Sequence, residues 1–389
     1  MHIYSNKVMI FPIEKFKSVE TPFYYYDQNI LQATLDTITS EARKYEGYKV
    51  HYAVKACADP VVLGLINASG IGCDCVSGGE IERCLISGFA PSKIVFAGVG
   101  KADWEINTAL DANIACFNVE SLPELEVIDE LAGVKGKIAN VALRVNPNVD
   151  AHTHKYITTG LSENKFGISM ELLDDVVKKA KLLKNINLIG LHFHIGSQLL
   201  EFEPFEMLCT RINDLLDKFE ACGISFKTIN VGGGLGVDYV EPDANPIPNF
   251  ALYFATFNKY LKLRPKQELH FELGRAVVAQ CGSLISRVLY VKEGLNKKFL
   301  ILDAGMSDLI RPALYQAHHK IENITSTSEE TDVYDVVGPI CESSDCFGEN
   351  EVLPKSKRGD IIALRTAGAY GQIMASKYNC RKIPASLVL

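Results

Sequence analysis

Between about residues 25 and 275, short runs rich in β-branched and aromatic residues alternate with longer amphipathic stretches. That rhythm restricts the fold more than any other feature of the chain. The runs read as strands are Lys49 to Val54, Ile71 to Val76, Lys93 to Ala97, Ile114 to Val119, Val141 to Asn146, Leu188 to His194, Lys227 to Gly232 and Leu269 to Glu272. Segments between them, such as Met170 to Leu183 and Phe205 to Ala221, are long enough to carry the chain back to a parallel neighbour. About eight such units in about 250 residues predict a (β/α)8 TIM-like barrel rather than an open sheet.

After about residue 276 the helical rhythm fades. Ser283 to Lys292, Lys298 to Asp303, Asp332 to Val337 and Asp360 to Leu364 read as strands punctuated by Gly, Pro, Ser or Asp, which predicts a C-terminal all-β domain. The expected division is a barrel over 25–275, with 1–24 and 276–389 forming the β-rich domain. A chain of 389 residues exceeds what one hydrophobic core supports, in keeping with two domains. The tail from Ile383 to Leu389 is more apolar than a free end usually is, which leaves docking or truncation as its explanation.

Net charge and cysteine usage narrow the partners. A formal charge of -7 without a long basic block argues against nucleic acid or an anionic membrane surface and leaves a small molecule. The first twelve residues lack a signal-peptide arrangement, and no apolar run approaches the roughly 18 residues of a membrane span, so the expected compartment is the cytoplasm. The 11 cysteines are scattered without paired Cys-x-x-Cys spacing, as expected of reduced core residues. Cys73 and Cys75 fall on one face of a strand, where packing is the expected role.

In a barrel the C-terminal ends of the strands build the active site. Lys55, Asp74, Arg144, His192, His194, Gly232, Gly233, Gly234 and Glu272 all fall at such ends. Lys55 closes the apolar run "HYAVKACADP". A strand tip lets a lysine reach solvent along its methylene stem, or holds the amine in a desolvated pocket where it becomes a nucleophile. The glycines of "VGGGLG" let backbone N–H groups approach an anion, and the stretch is neither a Walker loop nor a dinucleotide fingerprint. In "FELGR", Glu272 can hold a proton on a heterocyclic nitrogen while Arg275 grips a phosphate or carboxylate; a surface Glu–Arg pair is the plainer alternative. His192 and His194 form no zinc set, since no carboxylate or cysteine stands at matching spacing, so no metal is expected. A lysine, a phosphate cradle, a stacking histidine and a buried carboxylate together suit pyridoxal 5'-phosphate.

With these residues in place the chain resembles the diaminopimelate decarboxylases, in the fold type III group of pyridoxal phosphate enzymes. The resemblance is carried by "YAVKA", "CDCVSGGEI", "GLHFHIGSQ", "NVGGGLGVDY", "ELGR", "DAGMSDLIRPALY", "GPICESSD" and "GAYG", in that order over nearly the whole chain. It implies decarboxylation of meso-2,6-diaminopimelate to L-lysine and CO2, the last step of lysine biosynthesis. Lys55 would join the cofactor, with Asp74 beside it, and His194 would stack on the ring. Ser197, Gly232, Gly233, Gly234, Leu273, Gly274 and Arg275 would hold phosphate and cofactor, and Glu272 would pair with the ring nitrogen. Tyr370 would touch cofactor and substrate. Arg275, Arg311, Tyr315 and Glu342 would bind substrate. Cys341 would come from the partner in a homodimer with shared active sites and donate a proton.

The residues themselves favour some of these roles. A carboxylate at Glu272 keeps the ring nitrogen protonated, which suits decarboxylation over racemisation. Arg311 and Glu342 supply the cation and anion that a distal ammonium and carboxylate require. The plainer alternatives are a surface ion pair for Arg311 and a small core residue for Cys341. Cys57 stands where the family usually has Asn and is expected to be tolerated. The open alternatives are a decarboxylase of ornithine, arginine or carboxynorspermidine, and a non-catalytic regulatory homologue.

Overall fold

The computed structural model describes residues 9–149 and 165–389. Eight parallel strands close into a barrel: Tyr48–Ala53, Gly72–Cys75, Ile94–Phe96, Cys116–Val119, Ala139–Arg144, Ile186–His192, Thr228–Asn230 and Glu268–Leu273. The first pairs with the last, Tyr48 lying opposite Leu269 and His51 opposite Glu272. All eight expected strands are present, and several end earlier than the apolar runs suggest. Val54–Ala56, for example, leaves the first strand as a single 3-10 turn, so Lys55 stands on a turn just beyond the strand.

Local chemistry sets the helices that return the chain. Asp59 accepts the N–H groups of Val61 and Val62 to start the helix Pro60–Ala68, whose proline occupies the first turn. Ser77 caps Gly78–Ile86 through the N–H of Glu80, and Ser121 caps Leu122–Val134 through that of Glu124. The helix Leu173–Ala180 buries Leu173, Val176, Val177 and Ala180 on one stripe. On the last barrel strand Phe271 faces outward into Tyr253, Phe254 and Phe257, with ring centroids 5.6, 4.9 and 5.3 Å away. Burying each such ring stabilises by about 1.5–3 kcal/mol. Because successive side chains alternate, anchoring Phe271 outside turns His270 and Glu272 toward the barrel interior.

A second compact unit gathers residues 9–34, Val237–Pro248 and Arg275–Leu389. The sequence reading ran the barrel continuously from 25 to 275. In the fold the 237–248 segment bonds instead to groups of the second unit: Arg365 donates to Asp243 and Gln280 to the carbonyl of Asn245. The four strands expected here appear as Gly282–Glu293, Lys298–Leu302, Thr331–Val337 and Ile361–Leu364. Four more join them: Phe23–Tyr26, Ile321–Asn323, Cys346–Pro354 and Ala385–Val388. Phe23–Tyr26 pairs antiparallel with Gly282–Ile285 and parallel with Ala385–Val388. The apolar tail therefore docks as a sheet strand, which accounts for its composition.

Among the described residues no helix is long and apolar enough to cross a membrane.

Candidate active site

Glu272, next to last in the final barrel strand, points inward and is 7% exposed. Asn118 and Asn230 both donate to its Oε1, at 2.9 and 2.7 Å, and His192 Nε2 donates to Oε2 at 3.0 Å. Burial alone raises a carboxyl pKa, but His192, Lys55 and His194 overcome it and hold Glu272 well below the usual carboxylate range. A carboxylate offers about four lone-pair directions, and three are taken. The one left on Oε2 suits a single further N–H donor, the requirement of a protonated heterocycle.

Lys55 Nζ lies 3.6 Å from Asp74 Oδ2, so the amine is directed at a carboxyl group rather than only at solvent. Asp74 is 1% exposed, and among the described residues neither of its oxygens accepts a hydrogen bond. Burial and the nearby Glu272 charge push its pKa well above the usual value, and Lys55 opposes them. Arg144 donates to Glu120 at 2.6 Å, and Glu120 in turn accepts the N–H of Gly167 at 2.8 Å. Cys57 is buried; its N–H donates to Val54 and its carbonyl accepts Tyr52 OH at 2.9 Å, main-chain bonds that do not depend on residue type.

His194 lies just past the sixth barrel strand. Its Nδ1 accepts the N–H of Gly233 at 3.3 Å, so that nitrogen carries no proton. Burial, together with the Arg144 and Lys55 charges, drives its pKa well below the ordinary value and leaves a neutral ring suited to stacking. The glycine turn is obligatory: a Cβ on Gly233 would sit 2.1 Å from the Glu272 carbonyl oxygen, and one on Gly232, at φ +68°, 2.5 Å from that of Phe193. Gly232 gives its N–H to Asn230 Oδ1 at 2.9 Å, and Gly233 gives its own to His194. Two of the three expected phosphate donors thus brace the turn, and Gly234 is the one whose amide no described residue engages. Ser197 lies on the half-buried loop after the sixth strand, and buried Leu273 leads through Gly274 to Arg275.

In the second unit, Arg275 and Arg311 are both buried, so neither is part of a surface ion pair. Both guanidinium groups lie over the Tyr239 ring, 5.8 and 4.7 Å from its centroid, and Arg275 Nη1 donates to Tyr239 OH at 2.6 Å. Arg275 also covers Tyr370 at 4.9 Å, a residue held at φ +56°. Arg311 and Tyr315 open and close one short helix, Arg311–Tyr315. Cys341 is exposed, which excludes a core role, and the neighbouring Glu342 accepts Tyr378 OH at 2.7 Å. Sequence reasoning missed Asn118, Asn230, Tyr239, His319 and Tyr378. Asn230 and Tyr239 lie in the quoted "NVGGGLGVDY" stretch, where a polar residue at a strand end was a usable signal. The group fits pyridoxal phosphate: an amine, an ionised carboxylate with one acceptor position left, a neutral imidazole and a turn too tight for any Cβ.

Comparison with known proteins gives the same chemistry. Residues 33–279 match the family model described as "Pyridoxal-dependent decarboxylase, pyridoxal binding domain". The diaminopimelate decarboxylase of Bacteroides thetaiotaomicron is 65% identical over 96% of this chain and 97% of its own. That of Haemophilus influenzae is 44% identical over 95% of this chain and 88% of its own. The crystal structure of diaminopimelate decarboxylase from Helicobacter pylori complexed with L-lysine superposes with a TM-score of 0.90 at 41% identity, covering 97% of this chain and 93% of that one. The chain belongs to the diaminopimelate decarboxylase family of pyridoxal-dependent decarboxylases.

Proposed function

We infer that the protein decarboxylates meso-2,6-diaminopimelate to L-lysine and CO2, the closing step of lysine biosynthesis, with pyridoxal 5'-phosphate as cofactor. The observation that carries this reading is the buried, ionised Glu272 with one acceptor position left after Asn118, Asn230 and His192 are satisfied. When bound, the cofactor supplies a ring that accepts the electron pair left as the carboxylate departs. Glu272 keeps the proton on the ring nitrogen, and its fixed charge requires no reorganisation during the reaction. Lys55 would supply the amine that holds the cofactor. Burial raises the Asp74 pKa, and the Lys55 charge opposes that shift. His194 would offer its neutral face to the ring; Ser197, Gly234, Leu273, Gly274 and Arg275 would hold the phosphate end, with Gly232 and Gly233 shaping the turn.

Substrate recognition falls to Arg275, Arg311, Tyr315, Tyr370 and Glu342. Arg311 takes the distal carboxylate and Glu342 the distal ammonium. A buried guanidinium is costly without an anion, so a diamino monoacid such as ornithine would leave Arg311 without its partner. This argues for diaminopimelate over ornithine, arginine or carboxynorspermidine. Cys341, exposed and beside Glu342, is assigned as the group that returns a proton to the decarboxylated carbon of a partner copy, in a homodimer with shared sites. Cytoplasmic residence is supported by eleven cysteines, none of them in a disulfide. The domain division proposed is a cofactor-binding barrel and a β-rich domain completing the partner's site.

The test is lysine formation from meso-diaminopimelate, with and without added pyridoxal phosphate, beside the three rival substrates. Cofactor-dependent lysine production, abolished in Lys55→Ala, is expected. Faster CO2 release from any rival substrate, or full turnover without cofactor, would overturn the reading.

A further inference from the structure

Arg311 is 6% exposed, and among the described residues no carboxylate forms an ion pair with it. Its nearest hydrogen-bonding partner is an imidazole: Arg311 Nη1 lies 2.8 Å from His319 Nε2. A guanidinium only donates, so His319 Nε2 must carry a lone pair. His319 Nδ1 lies 2.8 Å from the carbonyl oxygen of Arg365, which only accepts, so Nδ1 must carry the hydrogen. The two contacts fix one neutral tautomer. Protonation would put an N–H against the guanidinium, and burial with the Arg311 charge moves the His319 pKa down to about 3.

The imidazole is itself held on both sides. Tyr239 packs against it at 5.2 Å between ring centroids, with an interplanar angle of 83°, while covering the face of Arg311 at 4.7 Å. Arg365, which supplies the carbonyl, is anchored through its own side chain to Asp243 and Glu322. A chain of fixed bonds therefore runs from two carboxylates through Arg365 to His319 and ends on one edge of Arg311. Five N–H donors in a rigid plane leave the remaining edges free to grip a carboxylate with two bonds, and the occupied edge decides where they point.

We propose that His319 is a positioning residue that aims Arg311 at the carboxylate of the substrate centre that is not decarboxylated, and so sets the preference for substrates that carry one. This rests on the assignment of Arg311 to that carboxylate. His319 touches neither substrate nor cofactor in this scheme; its effect passes through the guanidinium.

The test uses cofactor-loaded enzyme carrying His319→Leu, His319→Gln or Arg311→Gln. It measures kcat and KM for meso-diaminopimelate together with the inhibition constants of L-lysine, which keeps the carboxylate, and of cadaverine, which lacks it. A charge-assisted hydrogen bond is worth about 1.5–3 kcal/mol, or roughly ten- to a hundredfold. His319→Leu is expected to raise KM and weaken lysine by about tenfold or more, with cadaverine inhibition changed less than about threefold. His319→Gln, which keeps an acceptor, should recover most of the loss. If Arg311→Gln weakens lysine and His319→Leu does not, the positioning role is wrong and the Arg311 assignment stands. If Arg311→Gln leaves lysine and KM unchanged, the Arg311 assignment itself fails and the proposal falls with it. Equal losses for lysine and cadaverine in both His319 variants would mark a packing role only and also overturn the proposal.

Discussion

Asn230 donates to Glu272 Oε1 at 2.7 Å while its own oxygen accepts the N–H of Gly232 at 2.9 Å, so one side chain ties the buried carboxylate to the glycine turn. Asn230→Asp replaces that donor by a second acid. The pair would then share a proton or repel, and Glu272 would lose a charge-assisted bond of about 1.5–3 kcal/mol. The expected result is a fall in kcat/KM of roughly ten- to a hundredfold, with weaker cofactor binding read from the visible absorbance. Activity within twofold of the parent would count against the clamp.

Two glycines should respond oppositely to the same substitution. Gly233→Ala drives a methyl to 2.1 Å from the Glu272 carbonyl oxygen, which no rotamer relieves. It should cost about 1–3 kcal/mol and lower cofactor retention. Gly64 sits exposed in the helix Pro60–Ala68 with nothing within 4 Å of its added methyl. Gly64→Ala should raise stability by about 0.5–1 kcal/mol. Thermal melts of the two variants decide the matter, and a destabilised Gly64→Ala would refute the reasoning.

His51 predicts an acid limb in stability. Burial, aided by His270 with its Nδ1 3.0 Å from His51 Nε2, lowers the His51 pKa from 6.5 to about 3. The folded state thus binds fewer protons than the unfolded state between those values. Its contribution is complete above pH 6.5 and is lost as pH falls toward 3. His51→Gln should flatten the dependence of the melting temperature on pH over that window. An unchanged acid limb would mean that other groups dominate it.

The proposed sharing of sites between two subunits is tested by complementation. Lys55→Ala and Cys341→Ala should each be nearly inactive. Mixed under conditions that allow subunit exchange, they should recover about a quarter of wild-type activity, because half the dimers are hybrids with one intact site each. No recovery from mixtures shown to exchange would place Cys341 and Lys55 in the same subunit's site.

Much was legible in one dimension because its cause is local. Apolar runs and amphipathic stretches show wherever the chain carries them, so the eight barrel strands follow from periodicity. Phe23–Tyr26 was not legible as a strand. Its four side chains are all buried, so no alternation shows, and its partners lie at Gly282–Ile285 and Ala385–Val388, far along the sequence.

The barrel, the β-rich second unit and the chemical inventory of the site, a lysine, an acid, an arginine and a glycine turn at strand ends, are all readable from the order of residues. How each group behaves depends on what folding brings beside it. Asn118 and Asn230 are unremarkable amides until barrel closure brings both onto one oxygen of Glu272. His319 becomes an acceptor of fixed tautomer only because Arg311 and the Arg365 carbonyl meet it on opposite sides. Residue type supplies the donors and acceptors, whereas protonation state and direction depend on burial and on distances across hundreds of residues, which sequence spacing does not encode.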